Sequence, residues 1–295
     1  MAPLDSPSSD KAIAFNGDLS ERMDLAARPG APPEILVFLA TDRAEAVRRK
    51  VAENPGAPSH ADRLLAQDRV DDIRARLARK LAARADQLVE DLQDRRSRIG
   101  WEALLLLAQD PEVEVRHAVA DTLADLAHPP HDLALALARD AAPSVCEPVI
   151  RICAALTEGD LLEIVRLPPG EASRMAVARR LGLPAPVCDA LAQSQDVPAL
   201  EAMLRNPTAR IGEDTFPLLL DLARRHQGLQ GCLARRPGLP ARAAAVLALF
   251  LSEDMLQWLK GLEEPPAHVT WLLRARAMTE DRSDSMRYEF VWPTS

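Results

Sequence analysis

Residues 107–126 read LAQDPEVEVRHAVADTLADL, and this stretch holds one complete copy of a pattern that recurs along the chain. Asp110 followed by Pro111 is typical of a helix start, because the carboxylate can accept from first-turn amides and proline gives up an amide that would stay unpaired. Apolar residues then follow at three- and four-residue steps, which indicates one apolar helix face. They are Val115, Ala118, Val119, Leu123 and Leu126, with Thr122 beside them. Such a helix must bury this face against copies of itself.

The copies are recognised by Leu-Ala-x-Asp followed, five residues after the aspartate, by Val or Ile. The aspartates are Asp42, Asp68, Asp110 and Asp140, at spacings of 26, 42 and 30 residues. A unit of 26 to 30 residues is one helical hairpin, and the long interval is predicted to contain an additional charged helix over about 86–99. Periods of this size indicate stacked hairpins that each contact only their neighbours.

A second repeated signature is a helix that ends at a proline turn. Proline stops the preceding helix, a small residue makes the turn, and a second proline or a polar residue opens the next helix. Copies lie at 27–32, 53–58, 205–210 and 235–240, with a degenerate one at 128–131. The 24 prolines therefore suit many short helices.

The fold class that follows is all-α, a right-handed α-α superhelix of about eight to ten hairpins. The chain is 47% hydrophobic and only 3% aromatic, so Leu, Ala and Val must build the core. Residues 1–22 lack an apolar period and are expected to be disordered. The repeat domain is predicted over 23–264, a capping helix over 265–279 and a tail over 280–295.

The net charge of −8 argues against general attraction to nucleic acid or anionic membrane. Residues 28–100 are weakly basic, however, with 15 Lys and Arg against 12 Asp and Glu, a net of +3. The chain shows no secretory signal and no long apolar run, so a cytoplasmic protein is expected. Four cysteines among apolar neighbours are interpreted as buried packing thiols; they are Cys146, Cys153, Cys188 and Cys232.

Arginine follows the repeat aspartate by six positions in three copies, and this arrangement resembles the HEAT-type helical repeat and the related leucine-rich-repeat variant. The pairs are Asp42 and Arg48, Asp68 and Arg74, and Asp110 and Arg116. Aspartate at one helix start and arginine one turn on can bridge successive layers, so a structural ladder is favoured over a recognition stripe. Residues 137–239, including the Cys146-Glu147-Pro148 departure from the pattern, resemble a bacterial domain-of-unknown-function family, number 2336. That family has no assigned chemistry, so the resemblance implies a fold and no catalytic residue.

No constellation in the sequence predicts catalysis, a metal or a cofactor. His128 and His131 could share a metal with Asp125 or Asp132, but the intervening prolines interrupt the helical spacing that this would need. The paired His-Glu dipeptides of HEAT-like metal hydroxylases do not occur, nor does a phosphate loop or a nucleophile motif. HEAT-like DNA glycosylases are the enzyme alternative; they grip a duplex with a basic, aromatic-bearing face. Here Trp101, Trp258 and Trp271 lie in apolar periods and are predicted to fill the core.

The C-terminal tail carries Tyr288, Phe290 and Trp292 after a polar stretch. Aromatic side chains in such a context indicate docking, either on the last repeat of the same chain or in a partner's groove. The sequence therefore favours a non-enzymatic protein-binding adaptor or regulatory scaffold with an unidentified protein partner. The alternative is a nucleic-acid-binding HEAT-like protein, similar to the glycosylases, that uses the weakly basic N-terminal half.

Overall fold

The computed structural model describes residues 7–261, 269–274 and 276–277, with only the backbone described at 7–8, 253–254 and 258. All regular secondary structure in these residues is helical, which confirms the all-α class. The chain divides into two compact units, Met1–Asp160 and Leu161–Ser295.

The described residues of the first unit form eleven complete helices. They are α1 (Pro7–Asn16), α2 (Leu19–Ala27), α3 (Pro33–Leu39), α4 (Glu45–Glu53), α5 (Ser59–Leu65), α6 (Asp71–Ala82), α7 (Ala85–Glu90), α8 (Arg95–Ala108), α9 (Val113–Ala124), α10 (His131–Ala138) and α11 (Pro143–Ile152). One layer is formed by α2, α4, α6, α9 and α11, each packed on the next, and the other by α1, α3, α5, α8 and α10. Successive helices from the two layers pair as hairpins, and α7 is an additional helix that packs on α8.

The second unit repeats this plan over fewer helices. After α12 (Glu158–Arg166), which starts at the end of the first unit, come α13 (Ser173–Ala178), α14 (Ala185–Ser194), α15 (Val197–Arg205), a 3-10 turn (Glu213–Thr215), α16 (Phe216–Ala223), α17 (Gln227–Arg235), α18 (Ala241–Ala248) and α19 (Glu253–Lys260). Helices α13, α15 and α17 pack in one row, and α14, α16 and α18 in another. Residues 269–274 and 276–277 are also helical, within the range predicted for a capping helix.

The core of each unit consists mainly of Leu, Ala, Val and Ile. Leu36, Leu65, Leu77 and Leu107 are completely buried, and alanines such as Ala78 are buried between them. Each fully buried leucine contributes about 1.5–3 kcal/mol relative to an exposed one. Small alanines let neighbouring helices approach closely, so short helices of six to fourteen residues can still bury continuous faces.

Three details differ from the sequence-based expectations. Residues 7–16 and 19–22, expected to be disordered, are helical. Asp18 and Glu21 form a capping box that starts α2, and Asp10 on α1 is buried and pairs with Arg28. Helix α9 begins at Val113 rather than after Asp110, whose carboxylate accepts instead from the Glu112 amide at 2.9 Å. The predicted helix over 86–99 is two helices, α7 and α8, because Asp94 caps a new start at Arg95.

The tryptophans also differ from the expectation of a buried position. Trp271 is 55% exposed, and Trp101 is only partly buried. The Trp258 side chain lies outside the described residues. The core of the described residues therefore relies on aliphatic side chains even more than the composition indicates.

Candidate functional site

Arginine–aspartate pairs join successive hairpins of the first unit in a ladder. Its rungs are Arg22–Asp42, Arg48–Asp68, Arg74–Asp110 and Arg116–Asp140. In the last three rungs the arginine Nε donates to Oδ2 at 2.6–2.7 Å and Nη2 donates to Oδ1 at 3.0–3.2 Å. This is the bidentate geometry in which an arginine–carboxylate pair is strongest.

Each ladder residue has a second role in its own hairpin. Arg48 Nη1 donates to the Asp42 carbonyl at 2.9 Å, six residues earlier, and Arg74 and Arg116 repeat this contact with Asp68 and Asp110. The aspartate Oδ1 accepts from the amide two residues further on in all four copies; the amides are those of Ala44, Val70, Glu112 and Ala142. Each of Arg48, Arg74 and Arg116 therefore holds the turn before its own helix. The same side chain also binds the aspartate in the corresponding turn of the next hairpin.

The ladder's electrostatics follow from partial burial and these hydrogen bonds. Burial raises the pKa of the Asp68 carboxyl, but hydrogen bonds from Arg48 and the Val70 amide outweigh it, so the pKa is lowered overall. The pKa of Asp140 is lowered in the same way, against burial, by Arg116 and the Ala142 amide. The hydrogen bond to Asp68 raises the pKa of Arg48. Both partners are therefore held in their charged forms.

The structure brings all six predicted ladder residues into this array and adds Arg22 at one end and Asp140 at the other. Arg22 lies 20 residues before Asp42, the same interval that separates Arg48 from Asp68. That interval is a sequence signal that could have identified it. The ladder side chains are 5–17% exposed, so they hold the hairpins together and offer little surface to a ligand.

The proline turns form a second set of contacts between hairpins. Asn54 Nδ2 donates to the carbonyls of Ala26 and Arg28, at 2.7 and 3.1 Å. Asn206 repeats this geometry in the second unit, with Ala178 and Arg180 at 3.0 and 2.7 Å. These turn asparagines donate to carbonyls at the end of the preceding hairpin, where helix carbonyls lack intrahelical partners.

Arg236 occupies the corresponding place in the following turn. Its Nη1 donates to the carbonyls of Met203, Leu204 and Asn206, and its Nη2 donates to Ala209 at 2.6 Å. Arg236 is 6% exposed, and burial lowers its pKa. A buried guanidinium thus takes over the bridging role of asparagine.

Large apolar side chains are exposed along one layer of the first unit. Phe38, Leu64 and Leu106 each precede the Leu-Ala of a repeat copy and are 39%, 45% and 45% exposed. Phe15 on α1 is 65% exposed, and its ring centroid lies 4.4 Å from that of Phe38. The helices that carry them, α1, α3, α5 and α8, are packed neighbours. We call Phe15, Phe38, Leu64, Leu105 and Leu106 the apolar face.

The histidines form no metal site within the described residues, where no cluster of three or more His, Cys, Asp or Glu is arranged to hold an ion. His131 Nε2 lies 2.9 Å from Asp160 Oδ2, and that hydrogen bond raises the His131 pKa. Asp160 also accepts from the Thr157 amide, so it caps α12. This pair joins α10 to the start of α12.

All four cysteines are buried, and none of them forms a disulfide within the described residues. Burial raises the pKa of the Cys188 thiol to about 12, which keeps it protonated.

The described helices include none with the length and hydropathy needed to cross a bilayer. The predicted docking residues Tyr288, Phe290 and Trp292 lie outside the described residues.

Comparison with known proteins identifies one family. Residues 145–290 match a family model described as uncharacterised protein conserved in bacteria, DUF2336. The predicted resemblance is confirmed, although the match reaches residue 290 rather than 239. No curated protein and no solved structure matches the chain. Residues 145–290, slightly less than half of the chain, are therefore similar to the bacterial family DUF2336.

Proposed function

We propose that this protein is a non-enzymatic adaptor or regulatory scaffold that binds another protein through its apolar face in the bacterial cytoplasm. The observation that carries the proposal is the exposure of Phe38, Leu64 and Leu106 at one repeat position. Contiguous exposed apolar side chains on a folded protein are typical of protein-interaction surfaces. Phenylalanine and leucine in such a patch can fill pockets of a partner.

The repeated contacts between hairpins support a HEAT-like superhelical solenoid as the finer description of the fold. Ladder rungs join consecutive hairpins only, and the turn asparagines act in the same way. Stacked repeats of this kind form an extended surface on which the same repeat position recurs in neighbouring hairpins. A partner would meet the apolar face as a row of side chains on neighbouring helices.

The charge distribution gives less support to the nucleic-acid alternative. Part of the basic charge of the first unit is paired with carboxylates of the same chain. The paired residues are Arg22, Arg48, Arg49, Arg74, Arg76, Lys80 and Arg116. Paired cations release fewer counterions on binding a phosphate backbone, so they contribute less to duplex affinity.

Site-specific photo-crosslinking in the native bacterium tests this proposal. A photoreactive phenylalanine analogue at Leu64, on the apolar face, is expected to trap one discrete protein partner. The same analogue at Arg79, exposed on α6 in the other layer, is the matched control and should trap none. The trapped protein, once purified, should bind the wild-type chain directly and bind a Phe38→Ser/Leu64→Ser variant at least tenfold more weakly, because two central apolar contacts are lost. Equal yields at both positions, or salt-sensitive duplex binding with no trapped protein, would reject the proposal.

A further inference from the structure

A cavity of about 490 Å³ lies in the first unit, between α3, the turn before α5, and α8. Its volume is within the range of about 300–1,000 Å³ that is common for small-molecule sites. Part of the wall is apolar, from Val37, Pro58, Leu81 and Leu88. The cavity is separate from the ladder, since no ladder residue lines it.

Two arginines bring positive charge to the cavity. Arg84, after the end of α6, and Arg96, in the first turn of α8, both line it. Neither guanidinium forms an ion pair with any residue that the structure describes. Exposed arginines such as Arg63 and Arg79 also lack an ion pair among the described residues, but Arg84 and Arg96 are the two arginines that line this cavity.

The carboxylates in the wall do not cancel this charge. Asp62 is already paired with Lys80, whose Nζ donates to Oδ1 at 2.5 Å, and both side chains are nearly buried, at 7% and 11% exposure. Glu34 on α3 is the other carboxylate that lines the cavity. Arg84, Arg96 and the Lys80 beside the wall therefore carry three positive charges, and Asp62 and Glu34 carry two negative charges. The cavity has an excess of one positive charge.

A hydroxyl in the wall also has unused hydrogen-bonding capacity. Ser59 lines the cavity, and its Oγ is buried without a hydrogen-bond partner among the described residues. An unpaired buried hydroxyl is unfavourable, so such groups are uncommon and call for an explanation. A bound molecule with an acceptor oxygen would supply the partner.

We propose that this cavity binds a small organic phosphate, with the phosphoryl group held by Arg84, Arg96 and Ser59 and the organic part against the apolar wall. Guanidinium groups match the planar arrangement of phosphate oxygens and donate two hydrogen bonds at once. The Ser59 hydroxyl donates to a further phosphate oxygen. The site is independent of the apolar face, so it adds a ligand to a protein-binding scaffold.

Titration of the ¹⁵N-labelled full chain with phenyl phosphate tests the proposal. Saturable shifts are expected at the amides of Ser59 and Ser97, with inorganic phosphate binding at least tenfold more weakly because it lacks the apolar part. Phenol, which lacks the phosphate group, should produce no saturable shifts at these amides. Absence of saturation by phenyl phosphate, or equal binding of phenol, would overturn the proposal.

Matched variants separate a built site from general electrostatics. Arg84→Gln/Arg96→Gln should weaken phenyl phosphate binding at least tenfold, since both charged donors are lost. Arg63→Gln/Arg79→Gln removes the same charge from exposed positions outside the cavity and should leave binding within twofold. Equal losses in the two variants would show that only net charge matters.

Ser59→Ala gives a readout that does not depend on charge. Because Ser59 Oγ has no hydrogen-bond partner among the residues that the structure describes, the variant should fold with unchanged or higher stability. Its affinity for phenyl phosphate should nevertheless fall by about threefold or more, as expected for one lost neutral hydrogen bond. Unchanged affinity would remove Ser59 from the site.

The headgroup of phosphatidic acid carries the same phosphomonoester group as phenyl phosphate. Flotation with phosphatidylcholine vesicles that contain phosphatidic acid therefore distinguishes the two sources. Vesicle binding that Arg84→Gln/Arg96→Gln abolishes assigns the phosphate to a lipid, and phenyl phosphate binding without vesicle binding assigns it to a free small molecule. Failure of both probes contradicts the proposal and leaves the protein-binding function to its own test.

Discussion

Arg74 pairs with Asp110 in the same bidentate geometry that joins Arg48 to Asp68, although 36 residues separate the first pair and 20 the second. The longer interval accommodates α7, which packs on α8 and leaves α6 and α9 in direct contact. The insertion therefore changes the sequence spacing of the ladder without changing its geometry. A rung of this kind sets the register in which one hairpin meets the next.

Arg74→Met is expected to destabilise the first unit by about 3–5 kcal/mol, because it leaves the Asp110 carboxylate buried without its cation. Arg74→Met/Asp110→Asn should recover part of this loss, since asparagine carries no charge and its side-chain oxygen can still accept from the Glu112 amide. Urea unfolding measures the free energy of unfolding of both variants. Arg79→Met, at an exposed position on the same helix, is the control and should change stability by about 0.5 kcal/mol or less. Equal losses for Arg74→Met and Arg79→Met would show that the rung contributes nothing.

Stability should fall in acid because of Asp68 and Asp140. Their pKa values are lowered in the folded chain, so their contribution is complete above the unfolded aspartate pKa of about 3.9 and is lost as the pH falls through the lower folded value. Urea unfolding at pH 7 and at pH 3 should show this loss in the wild type. Asp68→Asn should be less stable at pH 7 and should lose less on acidification.

Asp121→Asn serves as the control for this pH dependence. Asp121 is exposed on α9, so its substitution should leave the wild-type difference between pH 7 and pH 3 intact. If Asp68→Asn keeps the full wild-type difference, the ladder carboxylates are not responsible for it.

The helical class and the ladder residues could be predicted because they depend on local, repeated patterns. Leu-Ala-x-Asp fixes a turn, and the arginine six residues later lies at the same place in each copy. The pairing itself needed a structure, since Arg48 donates to its own Asp42 carbonyl and to the carboxylate of Asp68 in the next copy. Both partners are aspartates of the same motif, so the pattern alone does not decide between them.

The features that the sequence did not predict depend on weak or distant signals. Helix α1 has almost no amphipathic pattern, although Asp10 within it is buried and pairs with Arg28. The cavity is lined by residues from Pro33 to Gly100 that belong to five helices and to the turns before α5 and α7. Such a site has no sequence motif, because only the stacking of hairpins brings its parts together.

Gly56→Ala is expected to cost about 1–3 kcal/mol through overpacking. A Cβ at Gly56 would lie 2.3 Å from the carbonyl oxygen of Pro29, so the two consecutive proline turns approach too closely for a side chain. Gly30 holds the same position in the preceding turn, with no atom within 4 Å of its Cβ direction. Gly30→Ala is thus a matched control that should be neutral or stabilising by up to about 1 kcal/mol. Thermal unfolding of the two variants compares them, and equal destabilisation would contradict close stacking of the turns.

The pair of Asp62 and Lys80 should reduce rather than raise the stability of the first unit. Burial raises the pKa of Asp62 and lowers that of Lys80, so each charged form is disfavoured by desolvation even though the two groups are in contact. Removing one partner is worse, because Lys80→Met leaves a buried carboxylate alone; a loss of about 3–5 kcal/mol is expected.

Asp62→Leu/Lys80→Met replaces both charges with apolar groups of similar size. This variant should be as stable as the wild type or more stable by up to about 4 kcal/mol, as for other buried ion pairs replaced by apolar groups. Urea unfolding of the wild type, Lys80→Met and the double variant supplies the comparison. A double variant as unstable as Lys80→Met would mean that the hydrogen bond from Lys80 Nζ to the Asn54 carbonyl, at 3.3 Å, is the contact that matters. In that case the pair would hold the proline turn at 53–58 against α6. This contact would offset the free energy that desolvation of the two charges costs.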